Sequence, residues 1–283
     1  MRPRLENKTQ TNFQPIPSAR IDVGQAKSSR STFLTTVAKA LSILDRLAAY
    51  SEAGASLMEL SASLKMPKSS THRYLATLLD LRLAERVGDE RFRLGTKVIE
   101  LAGSFLASSE LQKDSEAILN EIAEVSGETT HLAVPSGTEV VYIAKVEGRH
   151  TLGMFSHIGA RLPMHCTALG KSILAFSSPD RIQDVLPELS KPRTPNTITS
   201  EKALRDELDL IRLQGFAIDN EENELGIRCT GAPILDYTGK AIAAMSISGP
   251  RDRMDQARCL ELGPLLREAA LRISRRKGFT GKI

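Results

Sequence analysis

Hydrophobic positions recur at helical spacing near the start of the chain. One stripe predicts a first helix over residues 36–50 and consists of Val37, Ala40, Leu41, Leu44, Leu47 and Ala48. Ser56 and Glu59 have the spacing of a capping box and predict the start of a short second helix. A turn at Lys65-Met66 leads to a third helix, with Pro67 at its first position. Short helices joined by tight turns indicate a helix-turn-helix.

The third helix carries the side chains that we expect to contact DNA. Its apolar face holds Thr71, Leu75, Leu78 and Leu79. The open side of its first two turns holds Lys68, Ser69, Ser70, His72 and Arg73. Helix-turn-helix proteins place such side chains against base edges and phosphates in the major groove. An ordinary solvated face would show the same pattern, so the helix alone does not decide.

A predicted hairpin follows the third helix and favours DNA binding over an ordinary solvated face. Residues 84–95 read as two short strands around a Gly-Asp turn. Arg86, Arg91 and Arg93 lie on this hairpin, where a wing can follow a phosphate backbone or a minor groove. With a further helix at 96–108, the pattern predicts a winged helix-turn-helix that binds double-stranded DNA.

The distribution of charge agrees with a DNA partner. Residues 1–30 hold six basic and two acidic side chains, which matches the formal net charge of +4 for the whole chain. Residues 67–97 hold seven basic and four acidic side chains. We interpret residues 1–32 as a flexible basic arm that either adds phosphate attraction or is a passive tail.

The second half predicts strands and helices of an antiparallel α/β domain. Strands are expected at 130–134, 140–146, 151–158, 216–219, 232–236 and 241–248. Helices are expected at 111–125, 168–177, 179–187, 200–214 and 254–276, with a loop at 159–167. The fold class is α+β, with a winged helix-turn-helix domain (33–95), a linker helix (96–110), a C-terminal domain (111–277) and a tail (278–283).

Composition narrows the class of protein. A length of 283 residues suggests about two domains. The chain has no run of about 18 apolar residues and no secretory signal, so we expect no membrane partner. Cys166, Cys229 and Cys259 are an odd number without zinc-ligand spacing, which indicates a reducing, cytoplasmic location. We expect neither a metal nor a cofactor.

Three longer stretches resemble the IclR family of bacterial transcriptional regulators. They are residues 67–73, 161–172 and 215–229, the last continued by Ile247-Ser248-Gly249-Pro250. The resemblance covers about residues 33–277 and implies a dimer, or a dimer of dimers, that binds operator DNA. It also implies a C-terminal domain that binds a small effector, often an organic acid such as a 2-oxo acid or an aromatic acid.

The resemblance also implies which residues bind the effector. The pocket of relatives that bind small oxo acids falls here on Ala168, Leu169, Asp219, Cys229, Ser246 and Ser248. Ala168 and Leu169 replace a smaller Gly and Ala, which leaves the size of the pocket open. The residues themselves agree with a site, because a helix starting at Ala168 would present free amides to a carboxylate. Ser246 and Ser248 would share one face of a strand.

Other interpretations of these residues remain open at this point. Cys229 could be a small core residue and Asp219 a loop cap. The Gly170-Lys171 sequence lacks the upstream glycine of a phosphate loop, because His165 stands there.

The chain offers no convincing catalytic pair. His165 and Cys166 are adjacent and should point apart, and we expect Glu221, Glu222 and Glu224 in a solvated loop. We therefore assign no catalytic residue and expect a regulator that is not an enzyme. The alternatives are an enzyme acting on a small acid with an accessory DNA-binding module, and a DNA-binding protein with a vestigial pocket.

Overall fold

The computed structural model describes residues 34–50, 53–107, 110–150 and 156–283. The chain divides into two compact units, with the boundary between Phe105 and Leu106. The predicted arm, residues 1–32, lies outside the described residues. Within the described ranges, no helix is long and apolar enough to cross a bilayer.

The first unit is a winged helix-turn-helix, as predicted. Its elements are α1 (Thr35–Ala48), β1 (Ala55–Ser56), α2 (Leu57–Ser63), α3 (Lys68–Asp80), β2 (Ala84–Val87), β3 (Arg91–Leu94) and α4 (Lys97–Ala107). The strands form one sheet in the order β1-β3-β2, in which β1 is an addition that the sequence pattern did not predict. Buried apolar side chains from the helices and the wing make the core, among them Ile43, Leu47, Leu60, Leu75, Leu78 and Phe92.

The predicted start of α2 is confirmed in detail. The Glu59 amide donates to the Ser56 hydroxyl at 3.2 Å, and the Ser56 amide donates to the Glu59 carboxylate at 2.7 Å. The start of α3 differs by one residue from the prediction. Pro67 has ψ of 139°, which is extended backbone, so it precedes the helix and the first helical residue is Lys68.

The second unit is built on a six-stranded sheet. Its elements are α5 (Glu110–Ser126), β4 (Thr129–Ser136), β5 (Glu139–Val146), β6 (Arg161–Pro163), α6 (Ala168–Ala175), α7 (Pro179–Val185), a 3-10 helix (Leu186–Ser190), α8 (Glu201–Gln214), β7 (Ala217–Asn220), β8 (Ile227–Leu235), β9 (Ala241–Pro250) and α9 (Gln256–Arg276). The strand order is β6-β5-β4-β9-β8-β7, and every neighbouring pair is antiparallel. The predicted antiparallel α/β domain is therefore confirmed.

Two strand predictions were wrong. Residues 156–158 are not a strand, and residues 151–155 of that prediction lie outside the described residues. The edge strand is Arg161–Pro163, inside the expected loop, because it pairs with Glu139–Val141 of β5. Strand β8 begins at Ile227, five residues before the expected start, because β7 and β9 pair with it on both sides.

Helices cover both faces of this sheet, and one hydrophobic core lies on each face. Helices α5 and α9 pack on one face around a cluster that includes Ile118, Leu132, Ile247 and Leu266. Helices α6, α7 and α8 pack on the other face around a cluster that includes Leu169, Ile173, Leu208 and Ala244. Residues of the predicted tail, Phe279 and Ile283, pack against this second cluster. The candidate ligand-binding residues lie on the α6 face.

Candidate functional site

Helix α3 presents its polar residues on the side opposite its core. Thr71, Leu75 and Leu78 are buried, and the Thr71 hydroxyl donates to the Pro67 carbonyl at 3.1 Å. Of the five α3 side chains predicted to contact DNA, four are exposed, namely Lys68, Ser69, His72 and Arg73. The fifth, Ser70, is half-buried. The exposed side of α3 therefore presents cationic groups and hydroxyl donors, while its opposite side is buried in the domain core.

The three wing arginines occupy different environments. Arg91 donates to the carbonyls of Ala53 and Gly54 at 2.9 and 2.8 Å and pairs with Glu59 at 3.1 Å. Arg93 pairs with Glu85 at 2.6 Å, and the Arg86 guanidinium lies 5.6 Å from the centre of the Phe92 ring. Arg91 therefore ties the wing to the loop before α2, whereas Arg86 and Arg93 are exposed.

The register of the sheet brings the candidate ligand-binding residues together. Asp219 of β7 pairs with Cys229 of β8, and Cys229 pairs with Ser248 of β9, so the three form a row across adjacent strands. Ser246 lies in the next row on the same face, opposite Gly231. A cavity of about 230 Å³ lies over these rows, and all six residues expected from the resemblance line it.

The start of α6 forms another wall of the cavity. Thr167 precedes the helix, and its hydroxyl accepts the Gly170 amide at 3.1 Å. The amides of Ala168 and Leu169 are the first of the helix and have no acceptor within it, at the positive end of its dipole. Gly231 permits this close approach, because a Cβ there would lie 2.6 Å from the carbonyl of Ala168.

The cavity lining carries carboxyl groups and hydroxyls but no cationic side chain among the described residues. The carboxylate of Asp219 accepts the backbone amides of Glu222 and Asn223 at 2.7 and 3.3 Å. Burial, and then the charge of Glu222, raise the pKa of Asp219 to about 7. Burial and then the charge of Asp219 raise the pKa of the Cys229 thiol well above its ordinary value.

The buried side chain of Lys171 links α6 to neighbouring elements next to the cavity. Its ammonium donates to Glu222 at 2.6 Å, to Glu207 at 2.7 Å and to the carbonyl of Ile218 at 2.7 Å. Burial alone would lower the pKa of Lys171, but the charges of Glu222 and Glu207 outweigh it and raise that pKa. The Gly170-Lys171 pair is thus part of a buried ion network.

The expectation of a solvated glutamate loop was wrong for two of its three residues. Glu221 and Glu222 are buried, whereas Glu224 is exposed as expected. Glu221 accepts the Gly226 amide at 2.8 Å and pairs with Arg228 at 3.4 Å. Arg228 neutralises Glu221, and Lys171, 51 positions away, neutralises Glu222, a pairing that local sequence does not reveal.

The thiol of Cys166 is not arranged for nucleophilic chemistry. Cys166 is fully buried, and burial followed by the charge of Asp219 raises its pKa to about 12. A thiol with so high a pKa is not a thiolate near neutral pH. The described ranges contain no cluster of three or more His, Cys, Asp or Glu side chains that could hold a metal ion.

Sequence reasoning missed over half of the cavity lining. The further lining residues are Tyr142, Ser156, Ala160, Leu162, Thr167, Asn223, Glu224 and Ile227. Thr167 could have been found as a hydroxyl residue before an apolar helix. Tyr142 has no such local signal, since its place depends on strand pairing, and Ser156 lies outside the strands.

Comparisons with known families cover both units. The bacterial transcriptional regulator IclR C-terminal domain matches residues 103–275, and the IclR helix-turn-helix domain matches residues 36–88. The HTH-type transcriptional regulator KdgR of Escherichia coli is 36% identical over 248 residues, covering 87% of this chain and 94% of that protein.

Further relatives agree over similar lengths. The transcriptional repressor IclR of Escherichia coli is 32% identical over 265 residues, covering 92% of this chain and 96% of that protein. The crystal structure of the Thermotoga maritima IclR has a TM-score of 0.72 and 37% identity, covering 87% of this chain and 100% of that one.

Proposed function

Because the chain belongs to the IclR family of bacterial transcriptional regulators, we propose that it binds an organic acid in its C-terminal cavity and thereby modulates its affinity for operator DNA. DNA-binding regulation itself follows from the family and from the matched helix-turn-helix domain. The proposal concerns the residues at each site, the class of effector and the coupling between them.

The proposed DNA contacts divide between α3 and the wing. Lys68, Ser69, Ser70, His72 and Arg73 enter the major groove, since they occupy the first two turns of α3 away from the core. Arg86 and Arg93 contact phosphates from the wing. Arg91 supports the wing through its bonds to Ala53, Gly54 and Glu59, so its contribution to DNA binding is indirect.

The observation that carries the effector proposal is the cavity built on the Asp219-Cys229-Ser248 row beneath the start of α6. The ligand carboxylate binds the free amides of Ala168 and Leu169 at the positive end of α6. Ser246 and Ser248 bind the ligand from the sheet through their hydroxyls. Since the described lining holds no cation, hydrogen bonds and the helix dipole replace an ion pair.

Asp219 sets the conditions under which an anion can enter. A charged carboxylate beside the ligand would repel it, whereas a protonated one donates a hydrogen bond to it. With its pKa near 7, Asp219 takes up a proton readily when an anion binds close by. Binding is therefore accompanied by proton uptake above neutral pH.

Effector binding is coupled to DNA through the assembly of identical chains. Following the family, we propose a dimer or a dimer of dimers that positions its winged helices on an operator. The effector shifts the balance between arrangements only as far as its affinity for them differs. Whether it strengthens or weakens operator binding depends on which arrangement encloses the ligand more tightly.

The experiment is selection of bound duplexes from a random DNA pool at two salt concentrations, followed by a screen of organic acids on the recovered site. We expect a palindromic or direct-repeat site whose half-site spacing reflects the dimer. Recovery of only sequence-blind, salt-sensitive binding would contradict a specific operator. An acid screen in which no compound changes operator affinity or thermal stability would leave the cavity vestigial.

A further inference from the structure

A buried histidine lies directly behind the cavity wall. His131 is fully buried on β4, where it is the register partner of Ser246 on β9. Its ring stacks on the cavity residue Tyr142, with centroids 4.5 Å apart and planes inclined by 18°. His131 is not itself part of the cavity lining, so it acts on a ligand only through its neighbours.

The imidazole bridges two hydroxyls that do face the cavity. Its Nε2 lies 2.7 Å from the Ser156 hydroxyl oxygen, and its Nδ1 lies 3.5 Å from the Ser246 hydroxyl oxygen. The Ser246 hydroxyl lies 3.5 Å from that of Ser248. Both serines that His131 contacts line the cavity, although they are 90 positions apart in the chain.

The ring is neutral at physiological pH. Burial, and then the charge of Lys145, lower the pKa of His131 to about 3. A neutral imidazole has one nitrogen that donates and one that accepts, and either nitrogen can carry the proton.

The two tautomers differ in which of the two serines donates a hydrogen bond to the ligand and which accepts one. When Nδ1 carries the proton it donates to Ser246, whose own hydrogen is then free for the ligand. Nε2 in turn accepts from Ser156, which offers the ligand only lone pairs. When Nε2 carries the proton the roles of the serines exchange. In each state the two serines that contact His131 offer the ligand one hydroxyl donor and one hydroxyl acceptor.

We propose that His131 is a positioning residue that matches the cavity to a hydroxy acid, whose hydroxyl both donates and accepts, in preference to the corresponding oxo acid. This inference rests on the proposed function and names its effector class. A ketone oxygen only accepts, so it satisfies one serine and leaves the lone pairs of the other without a donor. An unsatisfied buried group of this kind weakens binding by about tenfold.

The test compares matched acids on the full-length protein by calorimetry. The probe pairs are lactate and pyruvate, and 2-hydroxyglutarate and 2-oxoglutarate, with propionate as the unsubstituted control. For the pair that binds most tightly, we expect about tenfold tighter binding of the hydroxy acid. Equal affinities, or tighter binding of the oxo acid, would overturn the inference while leaving an organic-acid effector in place. Failure of all five acids to bind would overturn the inference together with this effector class, and operator selection would still test DNA binding.

Two variants separate positioning from support of the fold. His131→Phe keeps an aromatic ring against Tyr142 but removes both nitrogens, so we expect the preference between the paired acids to disappear. His131→Asn can still bond Ser246 and should retain part of the preference, which keeps the test valid if the Phe variant does not fold. A His131→Phe protein that discriminates like the wild type would overturn the proposed role.

A spectroscopic measurement reports the tautomer directly. Solid-state NMR of the full chain labelled with 15N-histidine distinguishes Nδ1–H, Nε2–H and imidazolium forms, and His131→Phe assigns the signal. We expect only neutral forms, with and without the hydroxy acid, because either tautomer presents one donor and one acceptor to its hydroxyl. An imidazolium signal in either sample would contradict the mechanism.

Discussion

The ammonium of Lys171 lies 2.6 Å from a carboxylate oxygen of Glu222, and both side chains are almost fully buried, with 1% and 7% exposed. This pair joins α6 to the segment after β7. The same segment donates the backbone amides of Glu222 and Asn223 to Asp219 in the cavity. The position of a ligand-facing carboxyl group therefore depends on a charge pair outside the cavity.

Removal of this lysine should destabilise the domain strongly. Lys171→Met leaves Glu222 buried without its cation, and breaking a buried pair in this way costs about 3–5 kcal/mol. Chemical denaturation monitored by circular dichroism measures the loss. Lys202→Met is the matched control, because Lys202 forms an exposed pair with Asp206 and should leave the midpoint unchanged. Equal stability of Lys171→Met and wild type would contradict the network.

Asp219→Asn should stabilise the protein at alkaline pH. The pKa of Asp219 is about 7 in the fold against a reference value of 3.8, so between these values the folded state holds a proton that the unfolded state has lost. Stability from this group is present below the unfolded value and declines as the pH rises to about 7. Asparagine keeps the oxygen that accepts the backbone amides without bearing the buried charge.

The measurement is the melting temperature of wild type and Asp219→Asn from pH 5 to pH 8. The gain should be small at pH 5 and largest at pH 8, with about 1.4 kcal/mol for each pKa unit as an upper limit. Asp236→Asn is the control, because hydrogen bonds from Thr238 lower the pKa of that exposed carboxyl group. A pH-independent difference for Asp219→Asn would argue against its raised pKa.

Gly231→Ala should damage the cavity. The added Cβ would lie 2.6 Å from the carbonyl of Ala168 and 3.0 Å from the Leu169 amide, so α6 must move away from the sheet. Overpacking of this kind costs about 1–3 kcal/mol, and the shift should also weaken acid binding. Gly103→Ala is the control, because its Cβ meets open space and alanine favours a helix. Unaltered acid affinity in Gly231→Ala would contradict the assigned role of the helix start.

Arg73→Ala should weaken operator binding by about 1–3 kcal/mol if the side chain reads a base. Fluorescence anisotropy with a labelled operator duplex measures the change at fixed salt. Arg205→Ala, in an exposed pair with Glu201 on α8, serves as the control and should bind like wild type. Wild-type affinity in Arg73→Ala would remove this residue from the proposed interface.

The wing arginines should separate into two kinds. Arg86→Ala should lower DNA affinity without changing the melting temperature, since Arg86 forms no ion pair with any residue that the structure describes. Arg91→Ala should lower the melting temperature of the winged helix, because it removes the hydrogen bonds to Ala53 and Gly54 and the ion pair with Glu59. The same two assays, applied to both variants, distinguish these outcomes. The reverse pattern would mean that Arg91, rather than Arg86, is the direct contact.

The helices and the hairpin of the winged helix were predictable because their signals are local, whereas the short strand β1 was not predicted. The Ser56–Glu59 capping box acts over three positions, and helical periodicity identifies the buried face of α3. The two-residue repeat of a strand likewise placed Ser246 and Ser248 on one face. The IclR resemblance named six residues of this domain, and all six line the cavity.

The sequence by itself therefore determined the class of fold, the order of its elements and most side-chain faces, because these follow from interactions a few residues long. Only the tertiary structure decided which residues meet. His131 and Ser246 lie 115 positions apart and become neighbours through the pairing of β4 with β9. Glu222 resembles a loop residue in sequence and is buried because Lys171, 51 positions away, neutralises it. Strand register and charge compensation join distant segments, and a local pattern carries no information about either.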